Sequence, residues 1–150
     1  MSRIIYPTET TPSAIDASWF RGAALSSVIL LQQHVWVFEF STKASITVEC
    51  FWRILDPQMR VTSDDHQQKF GLPAPLDAVS RATELLVGDT VSEFTLREDA
   101  LDLLFRFSRG QRFEILADSA GYEAWKIASP HRQHFIAVGG GRLDTYTDEI

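Results

Sequence analysis

The sequence predicts a single α+β domain, mainly antiparallel, built from two pseudo-repeated β-meanders with one or two short helices. Three observations carry this expectation. They are an internal repeat, a period of two through the apolar residues of both halves, and one stretch of helical period between the halves.

The repeat relates residues about 18–63 to about 84–138. Gly22 matches Gly88, each followed three residues later by an aliphatic residue, Leu25 or Val91. "FEFS" at 38–41 matches "FRFS" at 105–108, and Ile46 and Val48 match Phe113 and Ile115. Trp52-Arg53-Ile54 then matches Trp125-Lys126-Ile127, after a six-residue insertion in the second copy.

Each element has its own justification. The N-terminal "PSAIDASWF" reads as a short helix with Ser13 as its cap. Alternation places Trp36, Phe38 and Phe40 on one face of a strand, with Leu103, Phe105 and Phe107 as their equivalents. Ile46, Val48, Cys50, Trp52 and Ile54 continue the pattern through a single strand of nine residues. "LDPQM" at 55–59 reads as a tight turn that pairs 46–54 with about 58–63. In "GLPAPLDAVSRATELLVG", Leu76, Val79, Ala82 and Leu86 recur at helical spacing, so a helix is expected over about 74–87, stopped by Gly88. "SRGQ" at 108–111 reads as a hairpin with Gly110 at positive φ; Lys43 holds that position in the first copy, so the two turns are expected to differ. "VGGGR" at 138–142 lacks the Lys-Ser/Thr and following helix of a phosphate cradle and reads as a flexible strand terminus.

Composition narrows the function classes. A chain of 150 residues with 45% apolar content can bury a real core as one domain. Its net charge of −6 opposes nucleic-acid binding, which wants a basic stripe. The charge is uneven: residues 1–75 hold 6 basic and 7 acidic side chains, whereas 76–150 hold 8 and 13. A basic partner would therefore be drawn to the second half. Cys50 is the single cysteine, on the apolar face of a strand, so neither an intrachain disulfide nor a reactive thiol is expected. The opening residues carry no signal-peptide pattern and no apolar run is long enough for a membrane span, which makes the cytoplasm the expected compartment.

The candidate site is the second-copy insertion "DSAGYE" at 118–123, which the repeat does not explain. Asp118, Tyr122 and Glu123 supply two acids and an aromatic anchor, and Glu114 lies on the strand before them. Asp64 and Asp65, in the polar connector "TSDDHQQK", extend the patch if the halves lie side by side. His131 and His134 in "HRQH" lack a third ligand, so no metal is expected, and no cofactor or catalytic motif is recognised.

The stretches "LVGDTV", "LDLLFRFSRGQRFEIL", "YEAWKI" and the C-terminal glycines resemble a family of small, uncharacterised bacterial proteins with a duplicated β-rich half. The resemblance covers about 18–141, and such families are similar in size and genomic setting to immunity proteins of bacterial toxin systems. It implies a cytoplasmic protein that neutralises an effector toxin by covering its active site, the acidic residues matching a basic cleft. The alternative is a small-ligand or enzymatic domain with a pocket between the halves, lined by Asp64, Asp65 and His66.

Overall fold

A computed structural model describes residues 6–148 and folds them into twelve strands and one α-helix. In chain order the strands are β1 (Thr8–Thr10), β2 (Leu25–Gln32), β3 (Val35–Phe40), β4 (Ser45–Val48), β5 (Phe51–Leu55) and β6 (Met59–Thr62). After the helix α1 (Ala78–Leu86) come β7 (Val91–Leu96), β8 (Leu103–Phe107), β9 (Arg112–Leu116), β10 (Trp125–Ala128), β11 (Gln133–Ala137) and β12 (Leu143–Thr147). They form two antiparallel sheets, ordered β1-β12-β11-β10-β4-β3-β2 and β6-β5-β9-β8-β7.

The expected nine-residue strand from Ile46 to Ile54 is two strands in different sheets. The chain pairs β4 with β3 and β10, crosses at Glu49-Cys50, and continues as β5 between β6 and β9. Alternation survives the crossing because Ile46, Val48, Cys50, Trp52 and Ile54 all point into the same core. A strand that switches sheets in a sandwich keeps its inward stripe, so period two alone does not reveal the break. Between β9 and β10 the chain crosses in the opposite direction. The small sheet thus takes β7–β9 from the second half and the β5–β6 hairpin from the first, whereas the large sheet takes β2–β4 from the first half and β10–β12 from the second, with β1 at its edge.

The inner faces meet through aromatic rings. Phe38 on β3 lies 4.5 Å from Phe113 on β9, and Phe40 stacks on Phe105 at 5.7 Å between centroids. Trp52 meets Trp36 and Phe38 edge-on at 5.0 and 5.5 Å. Such pairs each add about 0.5–1.5 kcal/mol beyond the area they bury. The F-x-F-S serines tie strand ends together: Ser41 Oγ accepts the Ala24 N–H, and Ser108 Oγ donates to the buried carboxylate of Asp89.

Helix α1 is shorter than expected because Asp77 caps it, accepting from the N–H groups of Val79 and Ser80. Ala78, Ala82 and Leu86 are its buried stripe, packed against β2 and β6, an edge strand of each sheet. The N-terminal segment forms two 3-10 turns, Pro12–Ala14 and Ala17–Trp19, and the second is capped by Asp16 rather than Ser13. The two β-turns expected to differ are alike. Lys43 and Gly110 both have positive φ, 77° and 100°, with the same pair of backbone hydrogen bonds closing each turn.

The C-terminal glycines are a connection, not a free strand end. They join β11 to β12, which pairs with β1 and extends the large sheet. A Cβ at Gly139 would lie 2.8 Å from the Gly121 backbone, and one at Gly141 would lie 2.6 Å from the Asp99 carbonyl oxygen. Gly140 N–H donates to the Ser119 carbonyl. The glycine turn is therefore the seat on which the 118–123 loop rests.

Candidate functional site

One end of the sandwich carries a composite cleft. Its larger lobe, about 530 Å³, is walled by the β2–β3 turn (Gln33, His34), by Trp36, and by the segment after β6 that carries Ser63, Asp64 and His66. A second lobe of about 300 Å³ shares His34, Trp36, Ser63 and Asp64, and adds Glu49, Cys50, Phe51 and Asp118. Asp64 and Asp118, 54 positions apart in sequence, thus line one cavity together with Glu49.

Local structure fixes the walls. His34 adopts φ 68° to close a two-residue hairpin, a conformation usually left to Gly or Asn. Trp36, 3% exposed, forms the floor, held edge-on between Trp52 at 5.0 Å and His66 at 5.4 Å. Ser63 Oγ accepts the Trp52 N–H, and His66 Nδ1 accepts the Ala78 N–H. That bond fixes the neutral His66 ring as its Nε2–H tautomer.

Several carboxylates elsewhere on the surface are neutralised by an arginine. Asp56, Glu93, Asp99, Asp102, Glu114 and Asp144 each lie against an arginine. Glu49, Asp64, Asp118 and Glu123 have no ion-pair partner among the described residues, and no Lys or Arg lines either lobe. Partial desolvation and the neighbouring Glu49 carboxylate push the Glu123 carboxyl upward, with Lys126 opposing. A smaller depression of about 150 Å³ on the outer face of the small sheet is unlike this one: Glu93 and Glu114 in its wall are already neutralised by arginines.

The predicted site residues separate accordingly. Asp118, Asp64 and, through Glu49, Glu123 belong to this end. Tyr122, four residues beyond Asp118, is 82% exposed. Its loop is held by Ser119 Oγ, which accepts the N–H groups of Gly121 and Tyr122. Glu114 lies away from this end, mid-strand opposite Arg53, with which it forms a 2.7 Å ion pair. Asp65 lines neither lobe, and its carboxylate accepts the Thr62 N–H in a capping box. His134 Nε2–H donates to the Asp148 carboxylate at 2.7 Å and its ring stacks on Tyr146, while His131 lies on the preceding turn.

Sequence reasoning missed His34, Trp36 and Glu49. The hairpin "QQHV" has no glycine to announce it, Trp36 reads as pure core, and Glu49 reads as an outward mid-strand residue because the sheet crossing is invisible.

Cys50 lines the smaller lobe, but burial first, and then the Asp118, Asp102 and Glu49 carboxylates, push its thiol up to about 12. Roughly one thiol in ten thousand is then ionised at pH 8. Iodoacetamide at that pH is expected to leave the native protein unmodified and to label it fully in denaturant, read by intact mass. Rapid native labelling would contradict this environment.

A family model described as a family of unknown function, DUF6188, matches residues 16–147. The chain belongs to that family. The match takes in both sheets from β2 to β12 and every residue of the cleft. No curated protein matches the sequence. No helix among the described residues is long and apolar enough to cross a membrane.

Proposed function

We propose that this protein is an immunity-type binding protein, which neutralises a bacterial effector toxin by covering its active site with the acidic end of the sandwich. One observation carries the reading: Glu49, Asp64 and Asp118 converge on a single cleft with no arginine or lysine in its wall among the described residues. Carboxylates left unpaired beside a preformed cleft favour a cationic partner, and their field speeds encounter with it. Tyr122, exposed on a loop fixed by Ser119, supplies an anchor of the kind that governs the off-rate. Of the three cleft carboxylates, Asp118 comes from the more acidic second half and Glu49 and Asp64 from the first.

We also infer that residues 18–63 and 84–138 are two copies of one unit. The support is the matching pairing of Trp52 with Ile115 and of Trp125 with Val48, together with the opposite crossings of the two halves between the sheets.

The test is co-expression with the product of the adjacent upstream gene, followed by affinity titration. Wild type is expected to restore growth and bind tightly. Tyr122→Ala is expected to cost about 2 kcal/mol or more in affinity, and Asp118→Lys to slow association. Both variants binding as tightly as wild type would place the interface elsewhere.

A second reading, a small-ligand or enzymatic pocket, is favoured by the size of the larger lobe and by Asp64 and His66 in its wall. That lobe is lined by residues of the first half alone, Leu30 to Gln68, rather than by a seam between halves.

A further inference from the structure

We propose that the cleft over Trp36 is a receptacle for the guanidinium of an arginine side chain presented by the partner. The inference rests on the acidic end being the binding face, and it names what that face recognises. At about 530 Å³ the larger lobe is in the size range of a ligand pocket and ample for one long side chain with its flanking backbone. Its wall offers acceptors at several angles: the Asp64 carboxylate and the amide oxygens of Gln33, Gln67 and Gln68. Glu49 and Asp118 stand in the adjoining lobe, across the shared wall of His34, Trp36, Ser63 and Asp64.

The chemistry favours a guanidinium over an ammonium. A planar fork of five donors can satisfy carboxylate and amide oxygens together, and it sheds water more readily than a compact ammonium. The floor is rigid, because Trp36 is clamped between Trp52 and His66. Behind it the Trp52 indole N–H is buried without an acceptor, whereas the Trp125 indole N–H donates to the Leu101 carbonyl at 2.8 Å. Asp118 borders the cleft and opens the loop that carries Tyr122, so one partner segment can engage both.

The probe is arginine blocked at both termini, Nα-acetyl-arginine-N-methylamide, with the corresponding blocked lysine as comparison, titrated by proton–nitrogen NMR. Blocked arginine is expected to give saturable shifts confined to the Trp36 indole, the Gln33-His34 turn and residues 63–68. Its affinity is expected to fall at least about tenfold in the Asp64→Asn/Asp118→Asn double variant, whose dispersed spectrum reports that it folds. Blocked lysine is expected to bind several-fold more weakly. Shifts that do not saturate, that fall on another surface, or that persist unchanged in the double variant would overturn the proposal, as would lysine binding as well as arginine. The titration contains no partner protein. Arginine binding here without any affinity for the upstream gene product would overturn the immunity reading and leave this one standing.

Discussion

Trp52→Ala and Trp125→Ala are each expected to remove about 3–5 kcal/mol of stability, a large part of what a domain of this size possesses. Both side chains are fully buried, and each stands opposite a residue of the other half, Ile115 or Val48. Removing either opens a cavity where the two halves of the chain are stitched into one sheet. The phenylalanine variants separate the two sites. Trp125→Phe strands the Leu101 carbonyl, held by a residue at φ 62°, whereas the Trp52 indole N–H has no partner to abandon. Trp125→Phe is therefore expected to cost about 1 kcal/mol more than Trp52→Phe. Urea midpoints at constant slope measure the difference. Equal costs, or a nearly unchanged midpoint for either alanine variant, would contradict this packing.

Gly141→Ala is expected to cost at least about 2 kcal/mol, and Gly139→Ala a similar amount. Both residues have positive φ, 79° and 104°, and in both an added methyl meets backbone rather than a movable side chain. Gly110→Ala is the control: φ is 100° but nothing lies within 4 Å of the added Cβ, so conformational strain alone applies, about 1–2 kcal/mol. Gly139→Ala carries a second expected effect. Its methyl presses on Gly121, so the 118–123 loop must shift, and amide resonances of Ser119 to Glu123 are expected to move with it. Tolerance of both substitutions with that loop undisturbed would show that the glycine turn is not its seat.

The sequence showed the inward stripe almost residue by residue. Trp36, Phe38 and Phe40, and Leu103, Phe105 and Phe107, are buried as alternation requires, because each strand has one face toward the core. It did not show where the stripe changes sheet, since inward pointing is preserved through Glu49-Cys50. His34 hid a turn, and Lys43 the geometry of another, by taking positive φ without being glycine, a cost of local strain that the surrounding strand pairing outweighs. β12 escaped notice because a glycine run followed by "LDTYT" resembles a tail until β11 is there to pair with it. Among the candidate residues, Asp118 and Asp64 stand out in the sequence as acids in polar loops, and both line the cleft. Glu114 and Asp65 were not separable from them, because their consumption by Arg53 and by the Thr62 cap depends on tertiary register and local turn geometry.

The central claim is that the end of the sandwich bearing Asp64 and Asp118 is an electrostatic docking face. The most direct measurement is the association rate with the upstream gene product, followed against ionic strength by stopped-flow for wild type and two charge-reversed doubles. Asp64→Lys/Asp118→Lys alters the cleft. Glu84→Lys/Glu93→Lys makes the same change of net charge on α1 and β7. The account predicts that at low salt the cleft double associates at least about tenfold more slowly and loses the salt dependence of wild type, while the control stays within about twofold. Equal slowing in both doubles would reduce the effect to overall charge, and unchanged association in the cleft double would contradict the docking face outright.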